Sequence, residues 1–396
     1  MAEVVIVGAA RTPIGKFLGG LTPLKAPEIG ARAVRAAVER ARVSPEEVDE
    51  VLLGCVVQAG LGQNPARQAA IHAGIPTKVP ATTINKVCGS GLKSVMMAAQ
   101  AIRAGDAKVV VAGGFESMSN APHFLEKARE GYRLGHAHLL DAVIHDGLWD
   151  IYHDYHMGRT AELVVEKHGI TRAAQDEYAL NSHRRAIAAM DAGKFRDEIV
   201  PIEIAKRKGT PVVVDRDESP RPDTTIEALA RLKPAFKPEG GTVTAGNAPG
   251  LSDGAAAVVV MSADEAKRRG LAPLARITGY AQGARDPEWV MLAPIDAVTR
   301  LLSATGRKIP DFDLVELNEA FAAAAIAVTQ ELGMDAARRV NVHGGAVALG
   351  HPIGASGARI LVTLIHALRD RGLKTGLATL CLGGGGAVAM SVERMA

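Results

Sequence analysis

Cysteine is scarce in this chain: there are 3 in 396 residues, at Cys55, Cys88 and Cys381. So sparse, odd and widely spaced a set is neither a disulfide framework nor a zinc-ligand pattern. It suits a reducing compartment, where a thiol is either small buried filler or a reactive group. An excess of one charge is lacking too, since 46 Lys+Arg against 43 Asp+Glu leave a formal charge of +3. That balance excludes a nucleic-acid arm and a polybasic membrane face. One local basic run, "AKRKG" with Lys206, Arg207 and Lys208, reads as a solvated hairpin tip or as a contact for a phosphorylated small molecule. No uninterrupted apolar run approaches the ~18 residues a membrane helix needs. The start, "MAEVVIVGAARTPIG", enters a short apolar strand without the regions of a signal peptide, and the end, "SVERMA", carries no address signal. The expectation is a cytoplasmic enzyme that meets neither nucleic acid nor membrane.

Glycine, by contrast, is abundant at 42 residues, and it falls mostly between short β-branched runs and Ala-rich stretches. "VVIVGAA", "EVLLGCVV", "KVVVAGG" and "AAAVVVMS" read as buried strands. "APEIGARAVRAAVERA" places Ile29, Ala33, Val34 and Val38 on one helical face, and "GLKSVMMAAQAIRAG" does the same with Leu92, Val95, Met96, Ala99 and Ile102. Strands alternating with helices across short glycine turns give an α/β chain.

An internal repeat organises it. "SGLKSVMMAAQAIRAGDAKVVVAGGFES" from Ser90 and "SGARILVTLIHALRDRGLKTGLATLCLGGG" from Ser356 both run Ser-Gly, amphipathic helix, glycine break, strand, glycine pair. "EEVDEVLLGCVV" and "PDFDLVELNEAF" match in the same way. The chain therefore divides into a first α/β half at 1–119 plus 251–270, an inserted segment at 120–250, and a second half at 271–396. Two related sheets stacked across helices would place one active site at their junction. The inserted segment, rich in His and aromatics ("HAHLLDAVIHDGLWDIYHDYHMG"), is expected to carry substrate specificity.

Cys88 stands immediately before a Gly-Ser-Gly turn and a helix. The positive end of the helix dipole and its free N–H groups favour a thiolate there, with a pKa drawn from about 8.5 towards ~7 or below. Gly89 and Gly91 leave the sulfur unobstructed. A buried, inert cysteine is the other reading of this stretch. In the second half, "NVHGGAVALGHPIGASGARI" offers His351 at the matching edge, and "ATLCLGGGGAVAM" places Cys381 at a strand end before glycines whose N–H groups suit an oxyanion. "VELNEAFAAAA" sets Asn318, a neutral donor, at another strand end. One thiol as covalent nucleophile, a second as mobile acid/base and an imidazole as activator describe a reaction with two substrates and a carbon-bound proton to remove.

These residues, with "GAARTPIGKF", "VCGSGLKSV", "GGFESMS", "YHMGRTAE", "DEIVPI", "TAGNAPGLSDGAAA", "LNEAFA", "GGAVALGHPIGASGAR" and "CLGGGGAVA", resemble the thiolase family over essentially the whole length. Within it the chain is most similar to the members that condense two acetyl-CoA. The resemblance implies a layered α-β-α-β-α fold built from the duplicated unit, with an inserted loop domain. It implies Cys88 as the acylated nucleophile and His351 as its activator. With a water held by Asn318, His351 would form the enolate's oxyanion site. Cys381 would move the α-proton, and the N–H groups of Cys88 and Gly383 would hold the tetrahedral oxygen. Leu148, His156 and Met157 from the inserted segment, and Ala320 and Phe321 from the second half, would line the acyl and pantetheine tunnel. Ala245 falls in the same expected binding region, and Arg221 would meet the adenosine-phosphate end. Pro249 stands where the family often has a pantetheine-binding Ser, so that hydrogen bond is either missing or supplied by Ser252. His343 stands where Asn is common. No metal and no cofactor beyond coenzyme A thioesters is expected, and a homodimer or homotetramer is.

Three other readings compete. A dinucleotide-binding oxidoreductase needs G-x-G-x-x-G after the first strand, and "VVIVGAARTPIG" lacks that spacing. A decarboxylating ketoacyl synthase would carry a second His where Cys381 stands. A non-catalytic lipid carrier would have lost one of Cys88, His351, Asn318 or Cys381, and all are present. Among active thiolases, the degradative kind of broad chain length is the alternative to the short-chain kind that "HDGLWDIYHDYHMG" suggests.

Overall fold

The computed structural model describes residues 2–206 and 209–395, so Arg207 and Lys208 of the basic run lie outside the described residues. The β-branched runs pair into a ten-stranded mixed sheet. Its first half holds β1 (Val4–Arg11), β2 (Glu50–Gly54), β3 (Ala81–Ile84), β4 (Val109–Ser117) and β5 (Ser252–Ser262). Its second half holds β6 (Ala275–Ala284), β7 (Leu314–Leu317), β8 (Thr375–Leu382) and β9 (Gly386–Arg394). The order is β7-β8-β9-β6-β1-β5-β4-β2-β3, with a short strand at Gly15–Lys16 against β5.

The duplication is visible in this order. Counted from the centre, β1-β5-β4-β2 and β6-β9-β8-β7 each make two antiparallel steps and then a parallel one. Equivalent aspartates even make equivalent bonds: Asp49 accepts from the N–H groups of Lys108 and Val109, and Asp313 from those of Lys374 and Thr375. The two sheets expected from the repeat are, however, continuous. Antiparallel pairing of Val5 with Arg276 and Ile6 with Ala275 joins them through a seam between β1 and β6.

Strand alternation sends neighbouring residues to opposite faces and so builds the layers. Helices α1 (Ala26–Ala41) and α2 (Pro65–Ala73) cover one face of the first half, packing on Val5, Val51, Val111 and Val259. Helix α3 (Ser90–Ala104) lies on the other face, with Val4, Ile6, Val110 and Val258. The inserted segment contributes α4 (Met157–His168) and α5 (Arg172–Asp191). In the second half, α6 (Ala293–Thr305) and α7 (Ala322–Glu331) cover the outside, while α8 (Ile353–Asp370) joins α3 in the central layer. The Ser-Gly shared by both copies has its reason here. A Cβ on Gly91 would come 2.8 Å from the Ala358 nitrogen, and one on Gly357 2.5 Å from the Leu92 nitrogen, so the two central helices touch backbone to backbone.

Among described residues, segment 120–250 adds no strand to the main sheet; an ion cluster pins it in place. Arg11 on β1 is fully buried; its Nε lies 2.5 Å from Glu198, and its two terminal nitrogens bind Asp217 at 2.7 and 2.9 Å. Thr363 of α8 donates to the same Glu198. His343 packs edge-on against Phe195, over which the Arg11 guanidinium also lies. That packing accounts for an imidazole at this position.

Candidate active site

Each half delivers one sulfur to the centre. The turn before α3 places Cys88, and it is strained: Val87, a β-branched residue, has φ of 46°, a conformation costing on the order of 1–3 kcal/mol. Ser90 holds it there, accepting from the Lys86 N–H and donating to the Val87 carbonyl. From the other half, β8 ends at Leu382 and carries Cys381 into the glycine turn.

Cys88, Cys381, His351 and Gly383 open onto one cavity of about 460 Å³. Leu148, His156, Met157 and Arg221 line it from the inserted segment, together with Ala245 and Pro249. Ala320 and Phe321 line it from the second half, Phe321 edge-on to Phe236 of the inserted segment. Two sulfurs and one imidazole from distant parts of the chain thus share a single space. Most of the remaining lining is apolar, including Met118, Phe236 and Met291; such side chains carry no motif and escape a reading of the sequence.

His351 is fixed at both ends. Its main-chain N–H donates to Ser252 Oγ at 3.1 Å, and its Nδ1 lies 2.6 Å from Ser356 Oγ. Because Ser356 donates its own hydrogen to the Pro352 carbonyl, it accepts from Nδ1–H, and the tautomer is thereby assigned: Nε2 carries the free lone pair. Burial, aided by the charge of Arg359, lowers this imidazole to about 3, so it rests neutral. Asn318 Nδ2 stands 3.5 Å from Nε2, while Asn318 Oδ1 is enclosed with no partner among the described residues. Asn318 sits beside the Nε2 end of the imidazole and is not itself on the cavity wall. Ser252 does not reach the cavity wall either. Its hydroxyl is fully buried and engaged with the Gly250 carbonyl and the His351 N–H. It therefore holds the base, and it does not supply the pantetheine hydrogen bond that Pro249 cannot make.

The thiol expected to be depressed is raised. Burial pushes Cys88 up to about 11, against the pull of the Gly383 and Cys88 main-chain N–H groups. The helix dipole does not prevail because its nearest donors are used in the turn: the Gly89 N–H binds the Lys86 carbonyl and the Ser90 N–H binds that of Val87. Burial and the neighbouring Cys88 push Cys381 well above the ordinary thiol range. In the resting site both sulfurs and the imidazole are therefore neutral.

Several roles were not legible in sequence. Glu116, inside "GGFES", is fully buried and accepts from the N–H groups of Val56, Val57 and Gly354 and from the Cys55 thiol. It ties the end of β2 to the start of α8, three residues beyond His351, and burial raises it to about 7 against those bonds. Cys55 is therefore a hydrogen-bonded spacer, not bare filler. Glu319, next to Asn318, gathers Tyr178, Ser182, Asn341 and the Val347 N–H. His156 caps α4, its Nδ1 accepting from the Gly158 N–H, and its ring stacks on Phe236 at 4.6 Å. Gly158 is required there, since a Cβ would sit 2.2 Å from the Phe236 ring.

Comparison with known proteins agrees with this arrangement. The N-terminal thiolase domain model matches residues 4–264, and the C-terminal one residues 271–394. The chain belongs to the thiolase family. It is 59% identical over 394 residues to an acetyl-CoA acetyltransferase of Cupriavidus necator and 57% identical to one of Pseudomonas aeruginosa, covering 100% of each chain in both cases. A crystal structure of the Bacillus anthracis acetyl-CoA acetyltransferase superposes with a TM-score of 0.97 at 48% identity, over 100% of this chain and 99% of that one. The layered thiolase fold is therefore established for this chain, with the two sheets of its duplicated unit meeting at the β1–β6 seam.

Proposed function

We propose that this thiolase is an acetyl-CoA C-acetyltransferase, reversibly condensing two acetyl-CoA into acetoacetyl-CoA and free CoA. The observation that carries the reading is the convergence of Cys88, His351 and Cys381 on one cavity. Because Nε2 of His351 is an acceptor and Cys88 is a neutral thiol, acylation begins with proton transfer from sulfur to imidazole as the sulfur attacks the thioester carbon. The main-chain N–H groups that already point at Cys88, its own and that of Gly383, are placed to receive the oxyanion. CoA leaves as the thiol by taking the proton of Cys381, so acetyl-Cys88 remains beside a Cys381 thiolate and a protonated His351.

The second half-reaction needs a carbanion equivalent. The Cys381 thiolate takes the α-proton of the incoming acetyl-CoA as the enolate oxygen gathers donors from the protonated Nε2 of His351 and from a water bound at Asn318. The α-carbon attacks acetyl-Cys88, the Cys88 thiolate departs and takes its proton back from His351, and Cys381 keeps the α-proton, which restores the resting site. A thiol as buried as Cys381 is a poor resting acid, which suits a group that exchanges a carbon-bound proton only inside a dry, closed site. Arg221 at the cavity mouth supplies a cation for the phosphates of CoA, and proline at 249, with no hydroxyl to offer, leaves the pantetheine there among apolar groups. No cofactor beyond the thioesters is called for.

The test is thiolysis across 3-ketoacyl-CoA chain lengths. Activity falling steeply beyond the four-carbon substrate supports this reading, and a flat profile replaces it with the degradative, broad-range kind. The unpaired cysteines suit a reducing cytoplasm, and among the described residues no helix is long and apolar enough to cross a membrane. A dimer or tetramer is proposed, with fully exposed Leu134 and largely exposed Leu139 as apolar surface for a second copy; sizing by light scattering tests it.

A further inference from the structure

Away from the catalytic cavity, a cleft forms where the end of α1, the linker 270–274, the last turns of α8 and the C-terminal strand meet. It consists of two adjoining hollows of about 410 and 500 Å³ that share Arg40, Arg42, Leu274, His366 and Arg369. Neither shares a lining residue with the catalytic cavity. Arg394 borders the first hollow and Arg196 the second, while the acidic groups on the walls are Glu39 and Asp197. Cations therefore exceed anions there.

How these cations are used separates them. Arg40 is engaged, donating to the carbonyls of Ala9, Glu198 and Ile199, and Arg394 donates to Leu373. Arg42 and Arg369 make no ion pair and no side-chain hydrogen bond among the described residues, although each carries five donors suited to an oxyanion. His366 lines both hollows with its ring, while its Nε2 is enclosed and has no partner among the described residues. Leu271, Pro273 and Ile365 supply an apolar floor.

We propose that this cleft binds a small phosphorylated metabolite. Its phosphates would bridge Arg42 and Arg369 beside the His366 ring, and the rest of the molecule would lie on the floor from Leu271 to Leu274. A cleft of one sign with low-dielectric walls concentrates such anions, and paired guanidinium forks favour phosphate over a halide. The site lies at the far end of α8 from the base: Ile353 borders the catalytic cavity and Ile365 this cleft, about 18 Å apart at 1.5 Å per residue.

The experiment is calorimetric titration of the full enzyme, saturated with coenzyme A so that phosphate subsites of the catalytic cavity are filled. Pyrophosphate and ADP are the two probes. The expected result is one saturable site per chain, weakened at least tenfold in Arg42→Gln/Arg369→Gln with kcat for acetyl transfer unchanged. Tighter binding of ADP identifies a nucleotide as the occupant, and equal binding identifies the phosphates alone as what is recognised. No heat with either probe in the presence of coenzyme A, or binding unaltered in the double variant, would each overturn the proposal. Arg42 and Arg369 are both exposed, so the variant is expected to fold; Arg42→Lys, which keeps charge but not the fork, provides an intermediate affinity as a check.

Discussion

His351 Nδ1 lies 2.6 Å from Ser356 Oγ, and that hydroxyl gives its own hydrogen to the Pro352 carbonyl. The serine of the repeated Ser-Gly thereby fixes the tautomer of the base in the second copy, while its counterpart Ser90 clamps the strained turn before Cys88 in the first. Ser356→Ala frees both tautomers. Acetylation of Cys88 is expected to slow roughly 10- to 100-fold, short of the ~10² to 10⁴ a general base contributes, with KM little changed. Stopped-flow measurement of CoA release checks it.

Cys88 titrates at about 11 because burial outweighs its N–H bonds. The thiolate is then a minor species at pH 7 and grows as pH rises towards that value. Carbamidomethylation of Cys88 by iodoacetamide, followed by mass spectrometry in the free enzyme, should accelerate about tenfold per pH unit from 7 to 9. A plateau below pH 8 would show that Cys88 and His351 already rest as an ion pair.

Glu116 joins the two catalytic loops, and burial raises its carboxyl to about 7 from an ordinary 4.5. A raised folded value means that its stabilising contribution is fully present below about pH 4.5 and is lost as pH rises through 7. Glu116→Gln cannot titrate. Urea unfolding at pH 5 and pH 8 should therefore show the difference in stability shifting in the variant's favour at the higher pH. A pH-independent difference would contradict the assignment.

Arg11 meets both Glu198 and Asp217 with essentially no solvent access. Arg11→Met leaves two carboxylates buried without their cation, a loss of about 3–5 kcal/mol, read as a lower denaturant midpoint. Adding Glu198→Gln and Asp217→Asn should recover part of it, because the stranded charge is the larger cost.

The duplication was legible because it is written in local pattern: β-branched runs, Ala-rich faces and Ser-Gly starts recur, and Ile29, Val34, Leu92 and Met96 are buried as their spacing requires. Cys88, His351 and Cys381 were legible because each breaks such a pattern at a glycine turn. What the sequence withheld depends on distant partners. The seam of Val5 and Ile6 with β6 leaves no local mark. Nor does the engagement of Ser252 with His351, or that of Glu116 by three N–H groups from two halves. The Cys88 pKa was misread for a related reason. The helix end is visible in sequence, but the burial and the turn bonds that consume its donors are not.

The division of labour between the two sulfurs is tested most directly by Cys381→Ala incubated with acetyl-CoA labelled in the acetyl group. The account predicts that label enters Cys88 at near wild-type stoichiometry, that no acetoacetyl-CoA forms, and that the methyl protons of acetyl-CoA do not exchange with deuterated solvent; Cys88→Ala takes up no label. Condensation or exchange persisting without Cys381, or stable labelling without Cys88, would contradict it.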